Sequence, residues 1–395
     1  MKVFIIPSWY PTKHFPIAGN FIQEQARLLA RHFPDWQIGI CLWGSHEPKL
    51  WLRVWRPLHA LIQYGSKFPI RRYENQLEVN LVEYFHPAYT WTRRFRKGNL
   101  KGIVKACEQN LERYILHSGE PDVIHAHVAY PAGKVAQALS ERHKIPYIIT
   151  EHMSPFPLSS FRHDFRRSLL PPLQNADRVL SVGQNLSATL LQHGIQSILT
   201  RNFIDLEIFK EADMLHTKPV IVAIGRLTRQ KGFDLLLKAM AGLGQGDWLL
   251  KIIGAGPEEK NLDRLIRKLR LVGKVQLLGE LETRQIAPEI QTSDFFVLPS
   301  RHESFGIVLV EAMGCGKPVV YTECGGITGS LPEYVGIRCV AEEGSLLKSI
   351  RQMMDQFRSY DGARIREFVK SNYSVAVAGE ELKKVYAEVT GNPQF

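Results

Sequence analysis

The sequence predicts an α/β protein of two Rossmann-like domains with parallel sheets, and three observations lead there. Short apolar runs alternate with longer amphipathic stretches along the whole chain. The alternation pauses at 202–218, a stretch without clear periodicity, and then restarts. A length of 395 residues suits two domains better than one. Strand–helix alternation implies parallel strands covered by helices on both faces. All of these elements in one sheet would be strained.

In the first half, residues 3–6, 37–42, 122–125, 147–150 and 179–182 read as buried strands. Residues 21–32, 100–117 and 133–143 have the helical spacing that connects them. The second half repeats the habit, with strands at 220–224, 248–253, 274–278, 295–298 and 318–321. Its helices fall at 233–242, 258–270 and 307–313, and 375–389 reads as a terminal helix. The expected division is 1–205 for the first domain, 206–372 for the second, and a tail, 373–395, packing back on the first. Residues 51–99 do not fit a compact element of this kind and read as an insert. They carry nine Lys or Arg, three acids and ten aromatic residues. Trp, Tyr and cations together suit a surface at the lipid interface; aromatics filling a core beneath solvated cations would read the same way.

Composition excludes several classes. Hydrophobic residues make up 45% and charged residues 23%, which gives ample material for a core. No apolar run reaches the ~18 residues of a bilayer span. The start, MKVFIIPSWYP, is too short in its apolar run for a secretory leader. Cys41, Cys107, Cys315, Cys324 and Cys339 are odd in number and form no CxxC, so free thiols in a reducing cytoplasm are expected. The 50 Lys and Arg against 39 Asp and Glu give +11. Residues 1–212 hold 26 of those cations against 17 acids, so the excess sits mainly in the first half and calls for an anionic partner.

Three stretches of the second half carry chemistry. In PSRHESFGIVLVEAMGCGKPVV, Glu303 and Glu311 flank a strand–loop–helix junction that starts near Phe305–Gly306. Backbone N–H groups at such a start favour an anion. Glu311 then falls about a turn and a half into the helix, within reach of the sugar hydroxyls of a bound nucleotide. Taken alone, an E-x7-E pair is more often two solvated carboxylates. In AIGRLTRQKGFDLLLKAM, Arg226 and Lys231 flank a strand-to-helix turn with Gly225 and Gly232, which suits a diphosphate. Taken alone, that stretch is more often a solvated basic loop. The third, GAGP at 254–257, opens a helix after a strand, and a lone GxG is weak.

In order, GRLTRQKG, GAGP and ESFGIVLVEAMGCGKPVV resemble the donor domain of family 4 glycosyltransferases, retaining enzymes of GT-B fold. PSWYPTKHFPIAGNFIQEQARLLAR, DVIHAHVAYPAGKVA and ITEHMS resemble that family's acceptor domain, and TRNFIDLEIF its approach to the linker. The resemblance implies two domains facing a central cleft. It implies a metal-independent transfer of a hexosyl or N-acetylhexosaminyl group from a nucleoside-diphosphate sugar, UDP or GDP type, to a glycan hydroxyl. Arg226 and Lys231 would hold the diphosphate and stabilise the leaving group. Glu303 would bind a hydroxyl of the transferred sugar, with main-chain contacts from Phe305, Gly306 and Ile307. Glu311 would bind the ribose. Gly225 and Gly254 would let the backbone approach the donor, as would Gly19 in the loop after the first strand. His127, in HAH, matches the active-site histidine; His125 is the weaker candidate. Glu151 and His152 read as either acceptor-side or structural, and Asn202 and Asp205 as shaping the linker. Two departures stand out. The acid expected soon after CGG is displaced to Glu333, and Ser304 stands where the family often has Gly.

The implied acceptor is a glycan, or a polyprenyl-diphosphate-linked glycan whose charge matches the basic insert. The enzyme would then be cytoplasmic and peripheral at an anionic inner membrane face, with no nucleic-acid partner. Two rivals are a nucleotide-sugar epimerase of the same architecture and a catalytically silent glycan- or nucleotide-binding subunit. The spacing of Glu303, Glu311 and GRLxxxKG favours transfer. The first strand is followed by PSWYPTKHFPIAG with no GxGxxG, which disfavours a dinucleotide dehydrogenase.

Overall fold

The computed structural model describes residues 1–392 except 16, 46, 66–69, 94, 158–160, 162–163, 213–216 and 245. The chain forms two compact units. The first holds 1–182, 187–200 and 379–395, and the second holds 183–186 and 201–378. The crossing therefore falls at 200–201 and again at 378–379, whereas sequence periodicity places these changes at 205–206 and 372–373.

The first unit is built on an eight-stranded sheet: β1 (Lys2–Pro7), β2 (Gln37–Leu42), β3 (Tyr73–Glu78), β4 (Leu81–Phe85), β5 (Val123–His127), β6 (Tyr147–Glu151), β7 (Arg178–Ser181) and β8 (Ile198–Leu199). Their order is β3-β4-β2-β1-β5-β6-β7-β8, and all neighbours are parallel except the edge pair β3–β4. The strands called from sequence are apolar on both faces, as a parallel sheet covered by helices requires. Two of those missed are of another kind, whereas β4, LVEYF, is a buried interior strand that the reading of 51–99 as an insert passed over. β8 is two exposed residues, and β3, YENQLE, is a polar edge.

The segment 51–99 is only partly an insert. Its second half supplies β3 and β4, with Tyr84 and Phe85 buried in the core. Its first half is pinned to the body by Leu52 N–H to Thr90 O at 2.8 Å and Thr90 N–H to Leu50 O at 2.9 Å. Between them runs the helix Pro57–Gly65, which sequence reasoning did not mark. Lys67, Phe68 and Arg94 lie outside the described residues, as do the side chains of Tyr64, Arg96 and Lys97.

The second unit has six parallel strands, β9 (Val220–Ile224), β10 (Leu249–Ile253), β11 (Val275–Gly279), β12 (Phe295–Leu298), β13 (Val319–Thr322) and β14 (Gly336–Cys339). They lie in the order β11-β10-β9-β12-β13-β14. One core joins the strands to the helices Phe233–Gly242, Glu259–Lys268 and Glu343–Gln356 through Leu236, Met240, Trp248, Leu262, Phe295 and Ile350. Sequence direction reverses between β9 and β12. The loops leaving their C-terminal ends are therefore where a ligand of such a sheet binds. The tail is not one helix. A helical turn at Val375–Gly379 precedes the helix Glu380–Thr390, which belongs to the first unit. All five cysteines are buried and free.

The loops after β9 and β12 touch through backbone. Gly232 starts the helix Phe233–Gly242 with φ +69°, and a Cβ there would lie 1.9 Å from Pro299 O. Gly244, with φ +77°, faces open space. Gly244→Ala should therefore cost only the left-handed backbone penalty, about 1 kcal/mol, lowering the unfolding midpoint by about 2–4 °C. Gly232→Ala should lower it by at least twice as much in calorimetry. Equal shifts would show that the close approach carries no weight.

Candidate active site

Lys231 ends the loop after β9, and Glu303 lies in the loop after β12. Parallel pairing of these strands brings the two side chains together, with Lys231 Nζ donating to Glu303 Oε1 at 2.6 Å. Ser300 Oγ donates to the same oxygen at 2.7 Å. Glu303 is only 8% exposed, so this carboxylate depends on both donors for its charge to be tolerated. The lysine ammonium has three N–H bonds, and this pair uses one. Arg226, two residues after β9 ends, is exposed, and its guanidinium meets no acid among the described residues.

A second tie runs beside the first. Arg301 holds Asp234 through two bonds of 2.7 and 2.9 Å and donates to Arg229 O at 2.7 Å. Burial works against the Asp234 charge, but the Arg301 hydrogen bond and charge prevail and hold its carboxyl below the usual range. The GAGP loop buttresses the same turn. A Cβ on Gly254 would stand 2.0 Å from Gly225 O, and Leu227 N–H donates to Ala255 O at 2.9 Å. Gly225 and Gly254 thus let two loops meet and fix the backbone that carries Arg226.

The helix Ile307–Gly314 follows Glu303 directly. Gly306 caps it in a left-handed conformation without any side-chain cap, at φ +89°. The N–H groups of Gly306, Ile307 and Val308 have no acceptor among the described residues. They add to the positive end of the helix dipole beside Lys231 and Glu303. The Phe305 ring is buried against Tyr373, and its carbonyl accepts from Ile327 N–H at 3.0 Å. That bond, with Glu303 N–H to Cys324 O at 2.8 Å, lays the CGG loop against the loop carrying Glu303. Glu333 starts a separate short turn and is exposed. At the far end of the helix, Arg366 donates to Gly314 O, Phe209 O and Leu206 O, fastening it to the segment where Asp205 caps Glu207 and Ile208.

Glu311 lies one turn after Ile307 on the same face. Its carboxyl has no hydrogen bond or ion pair among the described residues, and burial pushes it up to about 7.

In the first unit, the corresponding switch lies between β1 and β5, where Pro7 pairs with His127. Three histidines stack there. His127 Nδ1 and His152 Nε2 share a hydrogen bond at 3.0 Å, and the His125 and His127 rings lie 4.4 Å apart. Burial lowers His127 to about 3 and holds His125 and His152 well below the usual imidazole range, with neighbouring histidines adding to it. All three are neutral at physiological pH. His125 spends both ring nitrogens on Tyr386 Oη and Thr150 Oγ1, each at 2.7 Å, and so holds the C-terminal helix to the sheet. Glu151 does not reach out of the strand end as an acceptor-side group would. It is fully buried, and its oxygens accept from the N–H groups of Ala129, His152 and Met153 at 2.9 Å each. That carboxylate sets the loop that carries His152. Gly19, at φ +69°, starts the helix Asn20–His32, and its missing Cβ leaves room for Trp9 O. It closes its own loop.

The structure thus brings Lys231 to Glu303, Gly225 to Gly254, and Phe305, Gly306, Ile307 and Glu311 onto one junction. It pairs His127 with His152 in the other unit. Sequence reasoning missed Ser300, the Arg301–Asp234 pair and Arg366. Ser300 and Arg301 sit inside the motif PSRHES, where a hydroxyl and a cation beside a buried carboxylate were the available signal.

The raised Glu311 carboxyl favours the protonated form in the folded chain. Its contribution to stability is full below about pH 4.5, the ordinary glutamate value, and is lost as pH rises through about 7. Glu311→Gln should then unfold later than the parent at pH 8, by about 1–3 kcal/mol, and match it at pH 4. A parent at least as stable at pH 8 would show that the carboxyl is not desolvated.

Comparison with known proteins places these loops in a family. Residues 71–208 match Glycosyltransferase Family 4, and residues 205–361 match Glycosyl transferases group 1. An uncharacterized glycosyltransferase of Methanocaldococcus jannaschii is 29% identical over 285 residues, which are 70% of this chain and 78% of that one. N-acetyl-alpha-D-glucosaminyl L-malate synthase of Bacillus anthracis is 26% identical over 294 residues, 68% of this chain and 75% of that one. Among solved structures, sucrose-phosphate synthase from Thermosynechococcus elongatus superposes with a TM-score of 0.75 at 17% identity, over 99% of each chain. The Anabaena HepE protein in complex with UDP gives 0.71 at 18% identity, over 98% of this chain and all of that one. Two family matches that meet at 205–208, on two parallel-sheet units with GT-B neighbours, lead to one conclusion: this chain is a glycosyltransferase of family 4.

Proposed function

We propose that the protein transfers a hexosyl or N-acetylhexosaminyl group, with retention and without a divalent metal, from a nucleoside-diphosphate sugar of UDP or GDP type. The observation that carries this reading is the junction at the β9–β12 switch. Among the described residues, an arginine and a carboxyl without partners, a lysine, and three N–H groups without acceptors lie on one helix start and the loops beside it. HepE, a structural neighbour, is described in complex with UDP-glucose, which agrees with a donor of this class.

In the proposed chemistry, Arg226, Lys231 and the Gly306–Val308 amides surround the diphosphate. The bond from the anomeric carbon to the phosphate oxygen breaks, and negative charge grows on the leaving group. Fixed cations and dipoles act there chiefly on the transition state. The acceptor hydroxyl attacks from the same face, and its proton passes to the departing phosphate oxygen. Glu303 orients a hydroxyl of the transferred sugar while modulating Lys231, and Glu311 accepts from the ribose hydroxyls. His127 contacts the sugar as a neutral imidazole whose tautomer is set by His152. The acceptor is a glycan or a polyprenyl-diphosphate-linked glycan, met by a cytoplasmic enzyme at an anionic membrane face.

Lys231→Ala and Glu303→Ala remove activity but also break a buried pair, so each will lose stability as well. Arg226→Ala is the cleaner variant, because that side chain is exposed and unpaired. It should keep the parent unfolding midpoint and lose about 10²–10³ in kcat/KM for the donor; activity near the parent's would remove Arg226 from the site. Product from UDP- and GDP-sugar panels, followed by NMR, should show the donor's anomeric configuration kept and one nucleoside diphosphate released per linkage. An inverted linkage would defeat front-face attack. Donor isomerised without nucleotide release would establish the epimerase instead.

A further inference from the structure

We propose that the helix Pro57–Gly65 is an interfacial anchor that seats the first unit on an anionic lipid bilayer. This deepens the membrane reading above, and it depends on no donor-binding residue. The helix stands outside the sheet, between the pinned strand-like residues 50–52 and the edge strand β3. Leu58, Leu61 and Ile62, spaced i, i+3 and i+4, share one face and are 80%, 75% and 68% exposed. Trp55, just ahead of the helix, is 60% exposed, and Trp51 and Tyr73 flank the segment at the surface. A monomer rarely leaves three neighbouring large apolar side chains in water without a use for them.

The charges decide what covers this face. Arg53, Arg56, Arg71 and Arg72 are exposed, and none meets an acid among the described residues. Arg56 O accepts from Ala60 N–H at 2.8 Å, and Arg56 N–H donates to Arg53 O at 2.8 Å, so both arginines sit at the N-terminal end of the helix. The first turn contains no acid. Cations at that end oppose the helix dipole. Two arginines there, with first-turn N–H groups that have no acceptor among the described residues, suit external anions. Lipid phosphates supply such anions in a plane beside an apolar layer. Leucine and isoleucine on one face, tryptophan and tyrosine at the margin and arginine around them match that layered solvent. A protein partner would have to bring both an apolar groove and a ring of acids.

The test is sedimentation of the whole protein with sucrose-loaded vesicles, without donor or acceptor, so that its failure and the failure of the transfer reading are distinguishable. Phosphatidylcholine vesicles containing phosphatidylglycerol should carry the protein down at low salt, and pure phosphatidylcholine far less. Leu58→Ser/Leu61→Ser/Ile62→Ser should cut partitioning at least about tenfold at an unchanged unfolding midpoint. Arg53→Ala/Arg56→Ala should cut it by about tenfold and flatten its salt dependence. Absence of binding to the anionic vesicles at low salt overturns the proposal. So does equal binding by the triple-serine variant, which would mean charge attraction without insertion. A dimer in sedimentation velocity that the triple variant dissolves would assign the face to a second copy of the chain instead.

Discussion

The second unit depends on a carboxylate that is almost entirely withdrawn from water. Glu303 is nearly buried, and a lone charge in that position would cost several kcal/mol. Lys231 and Ser300 make the charge tolerable, and they come from different loops. Satisfying Glu303 therefore binds the exit of β9 to the exit of β12. The Arg301–Asp234 fork makes the same connection a second time, and the glycine at 232 lets the two backbones close to contact. The helix start at Gly306 hangs from the Glu303 loop, so its free amides are aimed by the same electrostatic need.

A buried carboxylate also organises the first unit, to a different end. Glu151 is satisfied by three backbone N–H groups and has no cation. It is spent on shaping a loop, and nothing remains to offer a ligand. The histidines above it are kept neutral by burial, so His127 is a hydrogen-bonding group and not a charge. The two strand ends thus hold carboxylates of opposite use. One is tied to an ammonium with N–H bonds left to share, and the other is closed off.

The charge surplus of the first half also acquires a place. Some of its cations are spent on acids, as Arg31 is on Glu78 and Arg113 on Glu74. Arg53, Arg56, Arg71 and Arg72 meet no acid among the described residues. In sequence they flank the helix that exposes Leu58, Leu61 and Ile62, so part of the excess lies next to apolar surface that is also left over.

Apolar patterning alone determined that two parallel-sheet domains follow one another. Strands buried on both faces have to be continuous apolar runs, and no other arrangement uses so many. The motifs likewise marked Arg226, Lys231, Glu303 and Glu311, because glycine spacing and strand–helix junctions are local. Pairing was not local. Lys231 and Glu303 are 72 residues apart and meet only because β9 and β12 are neighbours in the sheet. The same holds for His125 and Tyr386, 261 residues apart, whose bond returns the tail to the first unit. Edge strands such as β3 and β8 escaped detection because an edge needs no apolar run. The surroundings of Glu151 and Glu311, identical in chemistry, were decided by the tertiary structure. One accepts from three backbone N–H groups and the other has no hydrogen-bond partner among the described residues, and a side chain's solvation belongs to its surroundings, not to its place in the sequence.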